Sequence, residues 1–262
     1  MTGARSKTAH ALQAHHPEAR RPIEISAAGG CVTARLVGSA RSAKLGAEAA
    51  ARLIELFEEV EDDDSARMLA ITGTGKAFCS GFAPEVNPAL VESLAAISKP
   101  TVAIVNGDAT DEGLELAMAA DIRVALASAR FALTQAARGG FPRFGGTQRL
   151  PRLVGPAHAL RMILTGAAID GTEAHRIGLV AYLAKNEREL ARTGGAVVEA
   201  VLSRAPLAAR LVKDAVIKGY DMTLEQGVRL EEDLYALLQT TADRAEGVRA
   251  FLEKRKPLFR GA

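Results

Sequence analysis

The stretch PTVAIVNGDATDEGLELAMAADIRVA, from Pro100 to Ala125, alternates a strand, a turn, a helix and a second strand. Thr101-Val102-Ala103-Ile104-Val105 is a short apolar run closed by Asn106-Gly107, the pattern of a strand buried on both faces. Gly113 to Ala120 is helical in composition, and Ile122-Arg123-Val124-Ala125 is again a buried strand. Upstream, Met68-Leu69-Ala70-Ile71-Thr72 ends at Gly73 in the same way. Short apolar strands alternating with helices predict right-handed βαβ units and an α/β domain.

Working outward, Ile23 to Val37 carries two short strands around Gly29-Gly30. Leu45 to Val60 places Leu53, Ile54, Leu56, Phe57 and Val60 at helical spacing, and the acidic run Glu58 to Asp64 closes that helix as a solvated face and turn. From Ala196 to Phe259 the pattern is helical throughout. Pro206 suits a first helical turn, followed by an apolar face of Ala208, Leu211, Val212, Ala215 and Val216. Leu224–Leu238 and Ala245–Leu252 make two more helices. The predicted organisation is a tail (1–22), a core (23–195) and a helical region of the same domain (196–262). The tail is basic, holds three histidines and one acid, and lacks the apolar stretch of a secretory signal. It reads as flexible, with an organelle transit peptide as the other reading.

With 262 residues, 48% of them hydrophobic, the chain fits one large domain. Lys and Arg total 33 against 31 Asp and Glu, so no global field points to nucleic acid or an acidic membrane. No apolar run reaches the roughly 18 residues of a membrane span. Two isolated cysteines, Cys31 and Cys79, give no metal-ligand spacing and fit a reducing, cytoplasmic setting. Gly73-Thr74-Gly75-Lys76 lacks the spacing of a phosphate-binding Walker loop and reads as a tight turn.

Four segments, in order, resemble the signatures of the crotonase (enoyl-CoA hydratase/isomerase) superfamily. They are Gly73–Gly81, Ser98–Gly107, Glu115–Arg123 and Gly145–Gly155, the last a long match of high specificity. The tail Phe251–Pro257 is similar to the family's C-terminal helix. The likeness runs over roughly residues 23 to 260. It implies a ββα spiral core with a C-terminal helical trimerisation region, assembled as a homotrimer or hexamer. It also implies an acyl thioester substrate on coenzyme A or on a carrier protein's phosphopantetheine arm, with no separate cofactor and no metal.

Crotonase chemistry, as the resemblance implies it, needs two backbone N–H donors for the developing enolate and a carboxyl group to move a proton. The donor positions fall on Phe82, after Gly81, and on Glu112. At the second, Asp111 and Glu112 stand where the family has glycine. Their acids can equally stabilise a helix N-terminus. The first family carboxylate falls on Glu115, the expected general acid/base; a solvated helix acid is the plainer reading. The second falls on Gln135, which cannot shuttle a proton but can orient water or a carbonyl. Asp111 is a further candidate acid/base, and Lys254 and Lys256 are candidate contacts for the thioester's phosphates or a solvated basic face. His158, His175 and Cys79 read as structural. The function implied is hydration, dehydration or double-bond isomerisation of an acyl thioester; the alternative is a non-catalytic protein of this fold that binds a thioester or a partner.

Overall fold

The computed structural model describes residues 22–37 and 44–262. The tail reading of residues 1–22 therefore lies outside the described residues except at Pro22. In chain order the elements are β1 (Ile23–Ala28), β2 (Cys31–Leu36), α1 (Ala47–Asp62), β3 (Met68–Gly73), β4 (Ala77–Cys79), α2 (Ala89–Ala96), β5 (Thr101–Val105), β6 (Asp108–Thr110) and α3 (Glu112–Ala119). There follow β7 (Ile122–Leu126), β8 (Arg130–Ala132), a 3-10 turn (Ala136–Arg138), α4 (Gly146–Thr165), β9 (Ile169–Asp170), α5 (Gly171–Arg176) and β10 (Tyr182–Ala184). Four helices complete the chain: α6 (Glu187–Leu202), α7 (Pro206–Gly219), α8 (Leu224–Gln239) and α9 (Ala242–Leu252).

A larger sheet runs β1-β2-β3-β5-β7-β10 and a smaller one β4-β6-β8-β9. Only β1–β2 and β8–β9 pair antiparallel; the other pairs are parallel. The chain thus makes three similar turns, β3-β4-α2, β5-β6-α3 and β7-β8-α4. Each lays one strand in the large sheet, one in the small sheet, and then a helix, which is the expected ββα spiral. All six residues of β3 are buried, as a strand covered on both faces requires. Because β4, β6 and β8 lie side by side and parallel, the segments leaving their C-terminal ends converge. Those segments carry Phe82, Asp111-Glu112 and Thr134-Gln135.

Two boundaries differ from the sequence expectation. The helical region begins at Glu187, where Asn186 caps α6 by accepting the Glu189 N–H, so the line drawn at residue 195 falls inside a helix. At the other end α9 stops at Leu252, the end expected for the last helix, but the helical pattern read as far as Phe259 does not continue past it. Lys254 takes a left-handed φ of 53° and the Arg255 N–H returns to the Ala250 carbonyl at 3.0 Å, a turn that ends the helix. The predicted apolar face of α7 exists, yet neither α7 nor α8 has a buried residue.

The fold rests partly on one buried cation. Lys99 is 1% exposed, and its Nζ donates to the carbonyls of Val60 (2.6 Å) and Asp63 (2.7 Å) at the C-terminal end of α1. A cation there meets the negative end of the helix dipole. Lys99→Met is expected to strand both carbonyls and cost about 2–4 kcal/mol. That lowers the melting temperature by roughly 5–12 °C for a chain of this size; an unchanged melting temperature would refute the role.

Candidate active site

Glu115 is completely buried on the inner face of α3. Its Oε1 accepts the N–H groups of Phe144 and Gly146, both at 2.8 Å, from the loop leading into α4. There is no room for a side chain at residue 146: a Cβ would stand 2.8 Å from Glu115 Oε1. Burial raises the Glu115 pKa to about 7, with the Glu112 charge adding to the rise and the two N–H donors opposing it. A carboxyl group that titrates near neutrality is suited to taking and returning a proton.

Gln135 lies beside it, with Nε2 donating to Glu115 Oε2 at 3.3 Å. Its Oε1 is buried and has no hydrogen-bond partner. An unpaired buried acceptor costs about 1–3 kcal/mol until a donor reaches it. The rings of Phe82 and Phe144 meet edge to face with centroids 5.1 Å apart.

The first expected donor, the Phe82 N–H, is held in a loop pinned to Leu45. The Leu45 N–H donates to Gly81 O at 3.0 Å, and the Ala83 N–H to Leu45 O at 2.8 Å. Phe82 N itself donates to Glu112 Oε2 at 3.2 Å. The carboxylate of the residue at the second donor position therefore lies on the first donor. A Cβ at residue 81 would come within 2.7 Å of that oxygen, and Gly81 also takes φ 126°, so glycine is required there twice over.

Asp111 holds the turn into α3 without a glycine. Its φ of 51° is a conformation that costs a non-glycine residue about 1–3 kcal/mol. The side chain compensates: Oδ1 accepts the Thr134 N–H (2.6 Å) and hydroxyl (2.9 Å), and Oδ2 pairs with Arg138 at 2.7 Å. The Asp111 N–H donates to Ala132 O at 2.8 Å. Gly113, which follows the two acids, has no such freedom, since a Cβ there would stand 2.0 Å from the Cys79 carbonyl oxygen.

The structure thus brings together Phe82, Asp111, Glu112, Glu115 and Gln135. Lys254 and Lys256 lie exposed beyond α9 and bond to none of these. His158 and His175 sit on α4 and α5, away from the group, and His175 Nδ1 contacts the Val180 carbonyl at 2.9 Å. Cys79 is buried behind the Gly81 loop, its thiol pushed up to about 12, chiefly by desolvation. Phe144 and Gly146 were not foreseen as site residues. They act through backbone N–H groups, and the only trace they leave in the sequence is the Gly145-Gly146 pair before Thr147. Among the described residues no group of three or more His, Cys, Asp and Glu could hold a metal ion, and no helix is long and apolar enough to cross a membrane.

The chain is similar to known proteins over most of its length. Residues 41–262 match the family model described as enoyl-CoA hydratase/isomerase. The chain is 37% identical over 230 residues to an (E)-benzylidenesuccinyl-CoA hydratase of Thauera aromatica, covering 82% of this chain and 90% of that protein. It is 39% identical over 216 residues to a crotonyl-CoA hydratase of Syntrophomonas wolfei subsp. wolfei, covering 76% and 83%. Among solved structures, an enoyl-CoA hydratase from Bacillus anthracis superposes with a TM-score of 0.88 at 32% identity, over 92% of this chain and 100% of that one.

Proposed function

The chain belongs to the enoyl-CoA hydratase/isomerase family, and from that premise we propose that it adds water to an enoyl thioester with Glu115 as its one proton-carrying carboxylate. The observation that carries this reading is Gln135, whose Nε2 donates to Glu115 Oε2 while its own buried Oε1 has no partner. In this reading a substrate water gives one hydrogen to the Glu115 carboxylate and the other to that Gln135 oxygen. Double-bond migration would bring only C–H groups and leave the Gln135 acceptor unsatisfied, so hydration fits better than isomerisation.

In the proposed step Glu115 takes one proton as the water oxygen bonds to Cβ. The π electrons move onto the thioester oxygen, which the N–H groups of Phe82 and Glu112 stabilise as an enolate. Glu115 then delivers the proton to Cα. The sum is addition of H and OH across the double bond, and the reverse is dehydration. Gln135 suits both halves: its Nε2–H faces the carboxylate, and a turned amide presents Oε1 to the carboxylic acid. Asp111, engaged by Thr134 and Arg138, serves in this reading to hold the turn rather than to carry protons. Coenzyme A is the favoured carrier because the named relatives act on CoA thioesters.

One observation favours a second reading. The Glu112 carboxylate lies on the Phe82 N–H that a thioester carbonyl would need, as expected of a protein that binds without turnover. Assembly into trimers or hexamers is supported by the uncovered helices, where Val212, Val216 and Ile217 of α7 are 61%, 61% and 55% exposed. Apolar faces of this kind need a neighbour.

Incubating the protein with crotonyl-CoA in 18O-labelled water distinguishes the readings. Hydration predicts loss of the conjugated thioester absorbance and one 18O in a 3-hydroxyacyl product. An isomeric, unlabelled enoyl product would overturn hydration in favour of double-bond migration. Saturable binding with no product would favour the non-catalytic reading.

A further inference from the structure

Far from Glu115, a cavity of about 230 Å³ opens between the start of α7, the approach to β3 and the last residues of the chain. Arg67, Arg210 and Arg260 line it, together with Pro206 and Leu207, and Asp64 is the sole acid in its wall. Arg67 immediately precedes β3, so the cavity lies at the opposite end of that strand, about 20 Å along it, from the loops that carry the active site.

Each arginine is left with unused capacity. Among the described residues none of the three makes a side-chain ion pair. Arg67 donates Nη2 to the Arg204 carbonyl, but its Nε is buried with no partner. Arg210 feels the charge of Glu61, whose oxygens are already bonded to the Ser98 N–H and hydroxyl. It also adds to the positive field on Lys99. Arg260 is held in place by its backbone: its N–H and that of Gly261 donate to the two oxygens of buried Asp243 at 2.7 and 2.8 Å.

The backbone adds to this field. α7 begins here with Pro206 at its first position, and its N-cap residue Ala205 supplies no side-chain bond. An uncapped helix start presents free N–H groups and a partial positive charge. Guanidinium groups gathered without acids to pair them match the bidentate geometry of phosphate oxygens. The volume is below the roughly 300 Å³ of drug-sized sites, which suits a small anion rather than a whole nucleotide.

We infer that this cavity is a second ligand site, binding a phosphate group as free phosphate or as a small phosphomonoester, separate from the thioester site. Inorganic phosphate is the probe, titrated into the full chain by calorimetry and by thermal melts at fixed ionic strength. Wild type is expected to bind saturably with a rising melting temperature. Arg210→Gln and Arg260→Gln, at partly buried and exposed positions, should each weaken binding at least tenfold and leave thioester turnover unchanged. Equal phosphate affinity in wild type and both variants would overturn the site. So would displacement of phosphate by coenzyme A with loss of binding in Lys254→Gln, which would put the anion in the substrate's own phosphate subsite. Phosphate binding lost in the arginine variants and unaffected by coenzyme A supports it. That result would stand even if no thioester were turned over, because it does not depend on the hydratase reading.

Discussion

Glu115→Gln is expected to lower kcat/KM for crotonyl-CoA by about 10³-fold or more, within the range set by loss of a general acid/base. The same substitution is expected to make the protein more stable at pH 8. Both effects follow from burial. The folded-state pKa of Glu115 is raised to about 7, whereas the unfolded chain titrates near 4.3. Below pH 4 both states are protonated and the carboxyl carries no ionisation penalty. As pH rises from 4 to 7 the unfolded chain releases its proton first, so stability falls. Above 7 the full penalty, roughly 4 kcal/mol, is in place. A neutral amide escapes it, can still accept the Phe144 and Gly146 N–H groups, and can donate to Gln135 Oε1. The stability gap between variant and wild type should therefore appear above pH 5 and level off above pH 7. Wild-type kcat/KM for hydration should rise through about pH 7 as Glu115 ionises. A variant that retains wild-type turnover would remove Glu115 from the chemistry.

Much of this arrangement was readable before any coordinates. The apolar runs at Met68, Thr101 and Ile122 are long enough to be strands and too short to be helices; the first two end at Gly73 and Asn106-Gly107, and the third begins after Asp121. Glu115 was singled out by its place in the family resemblance, not by periodicity, since a solvated helix acid fits the same spacing. Sequence periodicity says little about three-residue strands, so β4, β6 and β8 left almost no pattern of their own. Yet those strands bring Phe82, Glu112 and Gln135 to one place. The position of Glu112 was also out of reach. Its spacing fits a solvated acid at a helix start as well as a carboxylate folded back onto Phe82, and only the close approach at Gly81 separates the two. The last helix ends at Leu252, where its apolar pattern ends, yet the helical composition runs on to Phe259: Glu253-Lys254-Arg255-Lys256 has good helix formers, and the left-handed residue there is a lysine rather than a glycine.

Glu112→Gly is expected to raise kcat/KM by about 10- to 100-fold. In the wild type a thioester oxygen must displace a carboxylate from the Phe82 N–H, and a hydrogen bond to a charged group is worth about 1.5–3 kcal/mol. It must then develop negative charge beside that displaced carboxylate. Glycine removes the competitor and the opposing charge, and keeps the residue 112 N–H for the enolate. Because Glu112 also helps raise the Glu115 pKa, its loss should move the acid limb of the pH–rate profile to lower pH. The cost is modest: about 0.3–1 kcal/mol for a lost acid at the helix start and about 0.5–1 kcal/mol for glycine in α3. Glu112→Gln keeps the bulk without the charge, and should recover the pH shift but only part of the rate. An inactive Glu112→Gly variant that binds crotonyl-CoA more tightly than wild type would show that the carboxylate blocks the site and that relieving it does not restore chemistry. Gln135 would then be the decisive departure, and the fold would serve this chain as a thioester receptor rather than a hydratase.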